Sequence, residues 1–94
     1  MIKHIVLFKS NGKHAGDNLI EQLNLLKDIP FIQNLEFGKV ILNRSQEFEV
    51  GLCLNLADEN MLVEYRKHPK HVELVKFLKN QGIEFFSTNY LIKE

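Results

Sequence analysis

The chain of 94 residues has one cysteine, no tryptophan, two prolines and no net charge. A lone Cys53 leaves no intrachain disulfide, which excludes the disulfide-stapled scaffolds of small secreted proteins. Twelve Lys and Arg balance twelve Asp and Glu, so the basic footprint of a nucleic-acid or anionic-membrane binder is missing. No run approaches the roughly 20 apolar residues that span a bilayer. The opening "MIKHIVLFKS" has too short an apolar stretch, broken by Lys3 and His4, for a signal peptide. No G-x-G-x-x-G or P-loop occurs, and Gly12 and Gly16 in "NGKHAG" read as a loop. The expectation is a cytoplasmic protein with no cofactor and no nucleic-acid or membrane partner. Residues 1–94 form one domain, long enough for a single core.

What is present is β-branched and aromatic residues at one period and leucines at another. "IKHIVLFK", residues 2–9, reads as a strand. Leu19, Leu23 and Leu26 recur at helical spacing from Asp17, the expected N-cap, to about Asp28, where Ile29 before Pro30 ends the helix. Strands follow near 33–42 and 47–56 around the polar "NRSQ". Asp58 caps a short helix to about Lys67, Pro69 opens a second to about Asn80, and Gly82 suits its C-terminal cap. "IEFFSTNYLI" is the last strand. The order β-α-β-β-α-α-β predicts an α+β, ferredoxin-like βαββαβ fold with an antiparallel four-stranded sheet and the second helix broken in two.

The strands are apolar on both faces. Ile2, His4, Val6 and Phe8 point one way and Ile5 and Leu7 the other; Leu35, Phe37 and Ile41 oppose Val40 and Leu42; Phe85 and Leu91 oppose Phe86, Tyr90 and Ile92. Helices on one side cover only one of these faces, whereas a wet face should alternate with polar residues. A second copy of the chain covers the other, so a homodimer through the sheet faces is expected.

"EYRKHPKHVELVKFL", residues 64–78, carries the richest chemistry. His71, Leu74, Val75 and Leu78 fall at i, i+3, i+4 and i+7, so His71 shares the face that packs on the sheet. Tyr65 follows Leu62 by three and lies on the buried side of the preceding helix. His68 sits at the junction and is expected to be exposed. His4 projects from one face of the first strand, a face that the sequence does not choose.

"IKHIVLFK", "IPFIQNLEFG", "YRKHPKH" and the "NY" of the last strand together resemble the stress-responsive α/β-barrel (Dabb) family over essentially the whole chain. The resemblance implies ferredoxin-like dimers whose two sheets face each other as a closed barrel, a dimeric α/β barrel, with helices outside. Around the cluster the chain is similar to plant polyketide cyclases such as olivetolic acid cyclase. There a tyrosine and a histidine matching Tyr65 and His71 act in a pocket between sheet and helices, and His4, Val6, Phe8 and Leu52 would line such a pocket here. A histidine of pKa near 6.5 can remove a proton α to a carbonyl, and a phenol can hold the enolate oxygen. The chain departs from the family pattern at Asn89, where an aspartate usually supports the histidine, and at Val50, where some members carry His or Asp. Asn18, Leu19 and Gln22 replace the aromatics of the cyclase pocket.

Each residue also has a purely structural reading. His71 fits a core histidine bonded to Asn89 or a helix-end carbonyl, and Tyr65 a core ring with a polar tip. His4, His68 and His71 lack the cysteine pair, carboxylates or HExxH of a metal site, so no metal is expected. Cys53, alternating with Gly51 and Asn55, reads as a small residue at the dimer face. Lys67, Lys70, Lys76 and Lys79 form a solvated helix face, with Glu73 able to pair Lys76. The leading expectation is a dimeric protein that binds a small apolar or carbonyl ligand between sheet and helices. The alternative is a cofactor-independent cyclase-, monooxygenase- or isomerase-like enzyme using His71 and Tyr65 as acid/base pair. RNA binding on an open sheet, as in RRM domains, ranks last because the aromatic motif is missing.

Overall fold

A computed structural model describes residues 1–9, 15–41 and 48–93, without the side chains of 15–17. Strand β1 (Ile2–Lys9) is followed by helix α1 (Ala15–Asn24) and a 3-10 turn (Leu25–Asp28). Next come β2 (Gln33–Lys39), β3 (Val50–Leu56), α2 (Glu59–Lys67), α3 (Pro69–Asn80) and β4 (Glu84–Leu91). The four strands form one sheet in the order β2-β3-β1-β4, with every pair antiparallel. This is the expected ferredoxin-like α+β arrangement.

Local chemistry explains most boundaries. Asp58 accepts the Met61 N–H at 3.0 Å and caps α2. Gly82, past the end of α3, takes φ 66°, the left-handed conformation that closes a helix without a Cβ clash. One reading is corrected, and another, the end near Asp28, holds with a change of helix type. Helix α1 starts at Ala15, so Asp17 lies inside it and is not its cap. Its last turn tightens to 3-10, because Ile29, held extended by Pro30, cannot continue the α-helix and donates its N–H to the Leu26 carbonyl at 3.0 Å. Strands β2 and β3 are shorter than their apolar runs, and the "NRSQ" turn with Leu42 lies outside the described residues. Asn34, at φ 51°, forms an irregularity between Gln33 and Glu36 that places Leu35 and Phe37 against the core.

The core lies between one sheet face and the helices. Ile2, His4, Val6 and Phe8 of β1 and Val50, Leu52 and Leu54 of β3 are buried there, against Leu19, Leu23 and Leu26 from the α1 segment and Leu74 and Leu78 from α3. This settles the face of His4. The opposite face carries Ile5 and Leu7, with Leu7 registered to Gly51 and Phe86. Phe86 remains 56% exposed and Tyr90 48%, so the sheet's second face is apolar and uncovered within one chain.

Candidate functional site

The site follows from how α2 gives way to α3. Pro69 has no N–H and forces His68 into extended backbone, φ −63° and ψ 136°. The last carbonyls of α2 therefore lose their regular partners. The Tyr65 carbonyl accepts the N–H of His68 at 3.2 Å. The Arg66 carbonyl accepts the Nδ1–H of His71 at 3.2 Å, and the Lys70 N–H that would have served it goes to His68 Nδ1 at 3.1 Å. His68 is thus half-buried as the N-cap of α3, its ring against Phe31, rather than simply exposed. The break also turns the His71 ring onto Tyr65, with centroids 4.6 Å apart.

Tyr65, 2% exposed, stands between two histidines, with the His4 ring edge-on at 5.5 Å. His4 in turn donates from Nδ1 to Asn89 Oδ1 at 2.6 Å. Of the two partners expected for His71, the helix-end carbonyl is the one it takes and Asn89 is not: β4 lies beside β1 with Asn89 directly opposite His4, while His71 turns to the end of α2. Because both acceptors are carbonyl oxygens, each histidine carries its proton on Nδ1 and keeps a lone pair on Nε2. Burial lowers the pKa of His4, against the Asn89 hydrogen bond and with the nearby Arg66 charge. Burial likewise lowers that of His71, opposed by the Arg66 carbonyl and reinforced by His4 and the Arg66 guanidinium. Burial alone pushes the Tyr65 phenol well up, so it remains a neutral donor.

A cavity of about 270 Å³ opens beside these groups. His4, Val6, Phe8, Leu52, Tyr65 and His71 all line it, while Asn89 lies one layer behind, holding His4. Arg66, Phe85 and Ser87 also line it and were not anticipated. Alternation from Asn89 would have found the two strand residues; Arg66 reads in sequence as one more solvated helix charge. Val50 is buried and apolar, and Leu19 belongs to the core. Among the described residues no three His, Cys, Asp or Glu side chains gather as a metal site. Cys53 is half-buried on the other sheet face, where it pairs with Ile5.

The family model for the Stress Responsive A/B Barrel Domain (Dabb) matches residues 2–85. The chain belongs to that family. No curated protein matches this Dabb chain. Solved structures of the same fold include a dimeric ferredoxin-like protein of unknown function from Thermobifida fusca YX, with TM-score 0.81 and 21% identity over 97% of this chain and 90% of that one. The hydroxynitrile lyase of Passiflora edulis gives TM-score 0.82 at 18% identity, over 99% of this chain and 94% of that one. A putative antibiotic biosynthesis monooxygenase from Deinococcus radiodurans gives 0.80 at 12%, over 100% and 94%. At such identities the likeness establishes the fold alone. Among the described residues no helix of this Dabb protein is long and apolar enough to cross a membrane.

Proposed function

We propose that this Dabb protein is a cytoplasmic homodimer, paired through its sheet faces, that binds a small carbonyl compound between sheet and helices. The observation carrying the reading is the apolar cavity into which Tyr65 is set between His4 and His71. The phenol is a neutral donor suited to a carbonyl oxygen, and each imidazole offers a lone pair on Nε2. The walls of Val6, Phe8, Leu52 and Leu74 favour an apolar body. The uncovered sheet face supports the dimer, as does the dimeric state of the Thermobifida protein. Native mass spectrometry of the purified protein tests both parts, followed by titration with 2-octanone read at the cavity residues. A dimer whose resonances shift at Val6 and Leu74, and do not shift after Ser87→Phe fills the cavity, is the expected result. A monomer overturns the assembly, and shifts insensitive to Ser87→Phe overturn the pocket.

A second reading, proton transfer, is favoured by the free Nε2 of His71 beside Tyr65. The base would take a proton α to the carbonyl, giving an imidazolium and an enolate held by the phenol. Asn89 supplies no negative charge, it bonds His4, and Arg66 opposes any imidazolium, so binding ranks first. Deuterium exchange at the α-carbon of bound 2-octanone, abolished by His71→Ala in a dimer that remains folded, would reverse that order.

A further inference from the structure

Among the described residues Arg66 alone lines both the cavity beside Tyr65 and its neighbour, a groove of about 330 Å³ along the β4 edge formed with Ile2, Leu62, Asn89 and Leu91 and with Glu59, which forms no ion pair with Arg66. It stands in the last turn of α2, exposed to solvent, and no carboxylate among the described residues lies within ion-pair distance of it. The lining of the first cavity contains no Asp or Glu. Both histidines there are biased towards the neutral form by burial and by Arg66 itself. The cavity therefore holds one permanent positive charge at its mouth and apolar walls behind it. A monoanion matches that charge, whereas a phosphate monoester would bring a second negative charge without a partner. At water's share of about 30 Å³ per molecule, the volume takes about nine water-sized groups.

We propose that Arg66 anchors the carboxylate of a medium-chain oxo acid whose acyl chain fills the cavity and whose keto oxygen meets Tyr65. The inference rests on the pocket reading above and adds the anionic end of the ligand. Arg66 acts as a specificity residue: the fork of its guanidinium suits a carboxylate, and its exposed position lets a charged head stay near water while the chain is buried.

The test compares 2-oxooctanoate with its methyl ester by calorimetry, on the wild-type protein, Arg66→Gln and Ser87→Phe. The acid is expected to bind about tenfold more tightly than the ester, as for a charge-assisted hydrogen bond at a partly exposed site. Arg66→Gln should remove that difference and leave the ester's affinity unchanged. Salt at about 0.5 M should weaken the acid and not the ester. Equal affinities in the wild-type protein, or an equal loss for both in Arg66→Gln, overturn the Arg66 anchor while leaving the pocket reading intact. Binding of both molecules unaffected by Ser87→Phe overturns the pocket reading as well. No binding of either overturns the oxo-acid class, and the 2-octanone titration then decides the pocket separately.

Discussion

Asn89 accepts the Nδ1 proton of His4, and the consequences are specific to that pair. Replacing it by aspartate brings a negative charge beside the ring and should raise the pKa of His4, with a smaller change at His71, whose Nδ1 is held by a backbone carbonyl. Histidine resonances followed through a pH titration check this; a larger shift at His71 would contradict the geometry. Burial lowers both histidines below their unfolded value of about 6.5. Between that value and the lower folded ones the unfolded chain binds more protons, so this contribution to stability is complete above pH 6.5 and declines as pH falls through the folded pKa values. Denaturant melts from pH 7 to 5 should show the decline, reduced in a His4→Gln variant. The Tyr65 phenol is shifted by burial alone, with no hydrogen bond among the causes. Tyr65→Phe should therefore change stability by less than about 1 kcal/mol, while weakening a carbonyl ligand.

At the scale of elements, the α2–α3 junction joins structure to site. One proline breaks the helix, one histidine caps the new one, and a second histidine satisfies the carbonyl set free. His68→Ala removes the acceptor for the Lys70 N–H and should cost about 1 kcal/mol. Asp58→Ala should cost about the same at the start of α2. Thermal melts of the two variants read both losses. His68→Ala should in addition weaken ligand binding, because the turn that aims His71 loosens; Asp58→Ala, a helix length away, should not. The paired roles in "HPKH" answer whether the motif is a site or a joint. It is a joint, and the binding role proposed for the cavity beside it rests on the way the joint turns His71 onto Tyr65.

The whole molecule presents two apolar faces of one sheet. The helices close the first around a core in which Leu23, Leu26, Leu54 and Leu56 are fully buried. The second carries Ile5, Leu7, Phe86 and Tyr90, and also Asn55, whose Oδ1 is buried without a hydrogen-bond partner among the described residues. A buried acceptor of this kind calls for a donor from water or from a facing chain. Leu7→Lys places a charge at the centre of this face and should convert the proposed dimer to monomer in sedimentation experiments, with the chain still folded. A dimer that tolerates the lysine would place the interface elsewhere.

Periodicity fixed much of this in advance, for local reasons. Strand alternation, leucines at helical spacing, the cap at Asp58, the proline break and the left-handed Gly82 all depend on residues within a few positions of one another. The shared face of His71, Leu74, Val75 and Leu78 was legible for the same reason. Other features depended on partners distant in the chain. Which face His4 takes, and that Asn89 holds it, follow from β1 lying beside β4 across 85 positions of sequence. The start of α1 ahead of Asp17 escaped because a possible cap competes with helix propensity on nearly equal terms. Arg66 escaped for the opposite reason: a charge on a helix surface is ordinary until packing places a cavity beneath it. Local spacing chose the elements and their buried faces; only the crossing of helix over sheet decided which side chains meet.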